Sequence, residues 1–418
     1  MSVKNLPLSS NEMLALSAKL PTPFHLYDGD AIEKNAEEMK AAFSWAPSFI
    51  NFFAVKALPN VNILKLLAKH GFGADCSSLP ELLMAKEAGI SGDKIMFTSN
   101  DTPDEEFKVA YDLGAILNLD DITHIEAVKR ACGRLPETIS FRFNPGAERT
   151  GNAIIGNPIE AKYGVTRSQL FDCYKIAKEE GVKKFYLHTM VASNELNGDY
   201  IVETARMLFS LVKEIKDKTG VEIEAVDLGG GVGIPYKEEQ NRIEWSYLGE
   251  EIGKLYDEMI VKNNLKPLLV SFECGRVITG PYGYLVTKVR HVTEKYKNYV
   301  GVDACMADLM RPALYGSYHH ITVLGKENAE KDHIYDVTGS LCENNDKFAV
   351  DRALPLIKKD DVLVIHDTGA HGFAMGFNYN GKMRHAEYLL SEGKVLKIRR
   401  EETYEDYIRT QLSTPEEV

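Results

Sequence analysis

Between about residue 25 and residue 280 eight short apolar runs alternate with longer segments that have one apolar face. The runs lie at 49–55, 72–76, 94–98, 114–118, 138–143, 184–191, 223–228 and 267–272. Helix-like stretches fall between them, at 61–70, 79–90, 104–113, 121–132, 167–181, 199–219 and 246–262. In the first of these Val61, Ile63, Leu64, Leu66 and Leu67 share a face, and Ser78-Leu79-Pro80-Glu81 reads as a helix start with proline near N1. Eight strand–helix units in about 250 residues fit a closed (β/α)8 barrel better than an open doubly wound sheet. A barrel places its chemistry at the C-terminal ends of its strands. Lys56, His188, Gly229 to Gly231 and Glu273 all fall there.

After about residue 282 the texture changes. Tyr284–Val289, Tyr299–Asp303, His320–Leu324 and Val362–His366 read as strands joined by turns containing Gly, Asp and Asn. The fold class expected is therefore α/β plus all-β: a TIM-like barrel over 26–281, and a β-barrel or sandwich domain formed by 1–25 with 282–418. A length of 418 residues agrees, since single cores rarely keep growing to that size. No short-period repeat, low-complexity tract or long linker interrupts the chain, and Glu401, Glu402, Glu405 and Asp406 near its end read as a solvated helix face.

A formal charge of −12 argues against nucleic acid or an anionic membrane as the main partner. Six scattered cysteines, without a CxxC pair or histidine-rich spacing, favour a reducing compartment and no bound metal. With no signal-like apolar stretch and no run of about 20 apolar residues, the expectation is a cytoplasmic protein.

Lys56 ends the apolar run Phe49–Val55. Burial there should disfavour its charged form and lower its pKa, as a lysine that condenses with a carbonyl requires; a strand-end lysine can also simply reach water. Asp227-Leu228-Gly229-Gly230-Gly231-Val232-Gly233-Ile234-Pro235 follows a strand. Its glycines let backbone N–H groups approach a phosphate, or make a tight turn. The spacing is not GxGxxG, and Pro235 stands where a dinucleotide-binding helix would continue. Glu273-Cys274-Gly275-Arg276 closes the last barrel strand and either offers an anion suited to a pyridine nitrogen or makes a surface ion pair of Glu273 with Arg276.

Together these pieces resemble the decarboxylases of the alanine-racemase-like fold that depend on pyridoxal 5'-phosphate (PLP), most closely the diaminopimelate decarboxylases. The resemblance runs from about Pro21 to Asn380. It implies that Lys56 carries the cofactor, Asp75 is the acidic residue near it, and Arg142 supports the lysine and phenoxide side. Gly230 and Gly231 match the phosphate-binding glycines, Glu273 the partner of the ring nitrogen, and Arg276 a residue meeting phosphate or substrate. Arg311 and Tyr315, in Arg311-Pro312-Ala313-Leu314-Tyr315, match a substrate-carboxylate motif. Cys342-Glu343 matches a segment contributed across a homodimer, Cys342 donating a proton and Glu343 meeting the distal ammonium; out of that context Cys342 reads as an inert thiol.

Three departures accompany the matches, one of them Asn344 after Glu343 where the family has serine. His188-Thr189-Met190-Val191-Ala192-Ser193 stands where the family has His-x-His-x-Gly-Ser, so that His188 and Ser193 keep their places among the cofactor-binding residues while Met190 takes the ring-stacking one. His371 replaces a tyrosine near the cofactor and can supply a hydrogen bond or a titrating group. The implied reaction is decarboxylation of meso-2,6-diaminopimelate to L-lysine and CO2, the last step of lysine biosynthesis. Ornithine, lysine or arginine decarboxylation, a racemase and an inactive PLP-binding homologue are the alternatives.

Overall fold

A computed structural model describes residues 4–150 and 156–417. The chain divides into two compact units. One comprises Glu33–Pro235 and Asn241–Ile278; the other comprises the chain up to Ile32, Tyr236–Gln240 and the chain from Thr279 onward.

The first strand, β1 (Phe24–Asp28), belongs to the second unit. The next eight are β2 (Ser48–Ala54), β3 (Gly73–Cys76), β4 (Ile95–Phe97), β5 (Ile116–Leu119), β6 (Thr138–Phe143), β7 (Lys184–Thr189), β8 (Ile223–Asp227) and β9 (Leu269–Phe272). They close in sequence order into a parallel barrel, β9 pairing with β2. All eight expected strands form. Every residue of β3, β4 and β5 is buried, because helices cover a parallel sheet from outside while side chains fill it from inside.

The helices between them follow their sequence periodicity. Helix Val61–Lys69 buries Ile63, Leu64, Leu66 and Leu67, and is capped by the Asn60 side chain. Helix Arg167–Glu179 opens with a capping box of Thr166 and Gln169. Helix Gly198–Thr219 starts at an Asn197 cap and stops at Gly220, whose φ of 64° is left-handed.

The second unit is a nine-stranded mixed sheet. Its other strands are β10 (Gly283–Glu294), β11 (Asn298–Val302), β12 (Ile321–Val323), β13 (His333–Thr338), β14 (Lys347–Leu354), β15 (Val362–Ile365), β16 (Glu387–Ser391) and β17 (Lys394–Arg399). The main path runs β14-β13-β11-β10-β1-β16-β17, with β15 bridging β10 and β12. β1 pairs antiparallel with β10 and parallel with β16. One apolar cluster gathers Val300, Val337, Phe348 and Leu363, and another Met13, Phe24, Val286 and Tyr388. The solvated helix expected near the end is confined to Tyr404–Ile408, since residues 394–399 form β17; Glu402 Oε2 is engaged by the Arg384 N–H and the Asn378 side chain.

Candidate active site

Strand register builds the site in layers. Arg142 on β6, His188 on β7, Asp227 on β8 and Ser271 on β9 are successive cross-strand partners, so four polar residues line one level of the barrel interior. Glu273, two residues beyond Ser271, returns to the same face one step higher. Its carboxylate Oε2 lies 2.9 Å from His188 Nε2. Asp227 is pinned at both oxygens, by the Ser271 hydroxyl at 2.7 Å and the Gly229 N–H at 2.8 Å.

The backbone around Glu273 is clamped. Its N–H donates to Gly229 O at 2.8 Å. Asn51 on β2, fully buried, donates to Cys274 O at 3.1 Å and accepts the Cys274 N–H at 2.9 Å. The glycine turn is equally constrained. A Cβ on Gly231, whose φ is 94°, would sit 2.4 Å from Ala192 O. No helix follows this turn until Trp245.

Above this level opens a cavity of about 480 Å³, lined among others by Lys56, Asp75, Arg142, Met190, Ser193 and Glu273. Lys56 occupies a short turn directly after β2. Its Nζ is 3.8 Å from Asp75 Oδ2, and its side chain is 56 % accessible. The expected lowering of its pKa does not occur. The Asp75 charge raises it, burial opposes, and Glu273 adds to the rise. An open cavity desolvates the ammonium less than the two carboxylates attract it. Burial pushes Asp75 itself up to about 7, with the Glu273 charge adding to the shift and Lys56 opposing it. Burial likewise raises Glu273, while Lys56 and then Arg142 pull it back.

The structure brings Lys56, Asp75, Arg142, Ser193 and Glu273 together at the cavity. His188 lies beneath them, fully buried, and acts on Glu273. Gly230 and Gly231 form the turn after β8, and the Gly230 N–H donates to Met190 Sδ at 3.2 Å. Met190 therefore does face the cavity. Arg276 is buried at the start of the short helix Arg276–Thr279. The remaining expected residues belong to the second unit. Arg311 is buried at the head of helix Arg311–Tyr315, its guanidinium 5.3 Å from the Tyr236 ring and 5.7 Å from the half-exposed Tyr315 ring. Its Nη2 donates to Ser317 Oγ at 3.2 Å. Cys342 and Glu343 are exposed on the loop between β13 and β14, which Asp346 organises by accepting the Met306 and Leu341 N–H groups. His371 sits in the loop after β15 at φ 56°.

Four contributors were not singled out from sequence. Asp120, at the end of β5, lies 3.5 Å from Arg142, and Tyr163 packs its ring 4.5 Å from the same guanidinium. Asn51 and Tyr236 hold Cys274 and Arg311 as described. Asp120 carried a usable signal, a charged residue closing an apolar strand run as Lys56 does.

Glu273 Oε1 is buried and has no hydrogen-bond partner among the described residues. An unmatched acceptor at a cavity wall, opposite an accessible lysine, fits a cationic pyridine ring that carries an aldehyde. The cavity size is that of a small-cofactor site.

Residues 29–280 match the family described as "Pyridoxal-dependent decarboxylase, pyridoxal binding domain". The chain belongs to the pyridoxal-dependent decarboxylase family. It is 40 % identical to Protein TabA of Pseudomonas amygdali pv. tabaci, over 94 % of this chain and 91 % of that protein. It is 34 % identical to a diaminopimelate decarboxylase of Methanothermobacter thermautotrophicus, over 97 % of this chain and 95 % of the relative. Among solved structures, diaminopimelate decarboxylase from M. jannaschii in complex with L-lysine superposes with a TM-score of 0.90 at 31 % identity, covering 96 % and 95 % of the two chains. As in that family, the cofactor is pyridoxal phosphate. Among the described residues no helix is long and apolar enough to cross a membrane.

Proposed function

We propose that this decarboxylase converts meso-2,6-diaminopimelate to L-lysine and CO2. Arg311 is the main structural support. Its buried guanidinium, 5.3 and 5.7 Å from the Tyr236 and Tyr315 rings, is a planar cation of the kind that grips a carboxylate through two hydrogen bonds. Ornithine, lysine and arginine have no second carboxylate for it. Arg311 belongs on the distal carboxylate, because gripping the leaving one would stabilise the ground state and oppose its loss.

Lys56 would hold the cofactor, Glu273 its ring nitrogen, and the glycine turn with Ser193 its phosphate. When bound, the ring accepts the electron pair left as the carboxylate departs. Asp75 would stabilise positive charge on the Lys56 nitrogen. Arg142, backed by Asp120, balances the acidic cluster around the lysine. The Cys342 thiol delivers the proton that replaces CO2 on the reacting carbon, and Glu343 receives the distal ammonium. The working unit is a homodimer in which Cys342 and Glu343 serve the site of a second copy. Their exposure on a fixed loop supports that role. A cytoplasmic setting suits the six free cysteines.

CO2 release measured side by side with meso-diaminopimelate, L-lysine, L-ornithine and L-arginine tests the proposal. Release confined to diaminopimelate is expected. Release from another substrate alone would overturn the reading of Arg311 and Glu343. A second reading, decarboxylation of a different amino acid, draws on the higher identity to Protein TabA and on Met190 at the cavity.

A further inference from the structure

We propose that His188 is a positioning residue for the cofactor's ring nitrogen: its Nε2–H donates to Glu273 Oε2 and thereby commits Glu273 Oε1 to the ring. The proposal rests on Glu273 as the ring-nitrogen partner.

His188 is fully buried, and its Nε2 lies 2.9 Å from Glu273 Oε2. It does not line the cavity, so it acts only through the glutamate. Glu273 Oε1 and His188 Nδ1 are the two buried atoms of this pair without a hydrogen-bond partner among the described residues. With the proton on Nε2, the pair leaves two unmatched acceptors and no unmatched donor. The opposite tautomer would strand an N–H, the rarer and costlier defect. A single carboxylate of a cavity-lining residue, with one oxygen held and the other unmatched, has its rotation fixed before any ligand arrives.

The charges facing His188 suit this role. Asp227 is on the neighbouring strand, and its carboxylate, the His188 ring and Glu273 offer atoms all within 4.8 Å of one another. Because Asp227 is pinned by Ser271 and Gly229, it stays a fixed neighbour. Arg142 on the other neighbouring strand disfavours a second proton on the ring, whereas Asp75 and Asp120 favour one. Burial outweighs them and pushes the imidazole down to about 4, so it remains neutral with a single proton to place.

The test uses the full chain stripped of cofactor and titrated with pyridoxal phosphate alone, followed by the visible absorption of the bound ring across pH. His188→Leu removes the donor, while His188→Gln places an amide N–H near the Nε2 position. His188→Leu should shift the pH midpoint of the absorption change by about one unit, the scale of one charge-assisted hydrogen bond. With substrate, it should lower kcat about tenfold or more with KM changed less than about threefold, the split expected when ground-state binding is spared. His188→Gln should restore both. If His188→Leu does not fold, His188→Asn serves, because its amide reaches only the Nδ1 position. An unshifted midpoint in the donor-lacking variant, or a Gln variant as impaired as it, overturns the proposal. Glu273→Gln separates the underlying reading: if it leaves the spectrum unchanged, Glu273 is not the ring partner. If it changes the spectrum while His188→Leu does not, only the His188 assignment falls.

Discussion

Asn51→Leu tests how the chain fixes Glu273. Asn51 is fully buried on β2 and uses both ends of its amide on one residue, Cys274, whose N–H and C=O it satisfies at 2.9 and 3.1 Å. Leucine fills similar space but pairs with neither group, and Cys274 is itself 1 % exposed, so water cannot substitute. Each stranded buried group costs about 1–3 kcal/mol, or about 2–6 kcal/mol for the two. Burying an apolar side chain in place of the amide returns about 1 kcal/mol, leaving a net loss of about 1–5 kcal/mol. Urea unfolding of the cofactor-free protein measures it as a lower midpoint at unchanged slope. Cofactor affinity should fall as well, since Glu273 adjoins the loosened residue. Asn51→Asp keeps the acceptor, loses the donor and buries a charge, so it should be no milder. A loss below about 0.5 kcal/mol in Asn51→Leu, the range of ordinary surface changes, would refute the reasoning.

Asp75→Asn should lower the Lys56 pKa, because the carboxylate 3.8 Å away is the largest cause of its rise; an unchanged titration of the labelled lysine by NMR would contradict this. Gly231→Ala should cost at least about 1–2 kcal/mol from the left-handed backbone alone, read by thermal unfolding. Ala192→Gly should not rescue it, because the clash at 2.4 Å is with a backbone oxygen. His25 is fully buried, and burial holds its pKa at about 4 against 6.5 for a free imidazole. The unfolded chain therefore takes up a proton the folded chain refuses, and stability falls as pH drops from 6.5 toward 4. His25→Leu should flatten urea-measured stability in that window, and a profile as steep as the parent's would count against it. Arg311→Lys should raise the KM for diaminopimelate about tenfold or more while cofactor affinity holds; equal loss of both would sink its assignment.

The barrel was legible because parallel strands covered on both faces must be written in nearly unbroken apolar residues. Ile50-Asn51-Phe52-Phe53 on β2 and Ile95-Met96-Phe97 on β4 show it. Strands of the mixed sheet with one wet face were harder. In β14 and β17 exposed and covered positions mix, as in Val350-Asp351-Arg352 and Lys394-Val395-Leu396-Lys397, and the run thins out. β1 is apolar enough, but only its remote partners on β10 and β16 assign it to the second unit. In the site, charged residues at strand ends could be found by position. The clamp of Asn51 on Cys274 could not, since a side chain that serves a distant backbone leaves no local pattern. The protonation of Lys56 is not legible for a related reason: burial is readable from apolar neighbours, whereas the competing charge of Asp75 depends on a distance that only the closed barrel sets.

The place of β1 in its sheet has a consequence for the order of assembly. It sits between β10 and β16, and the entire barrel sequence is inserted between β1 and the first of them. During synthesis β1 must therefore wait, with both of its hydrogen-bonding edges open, while eight strand–helix units emerge and close on local contacts. Its second edge is covered only when residues 387–390 arrive, after every strand of the barrel has been made. Ribosome-bound chains halted before Glu387 would then carry a finished barrel and a β1 strand still able to pair with the wrong neighbour.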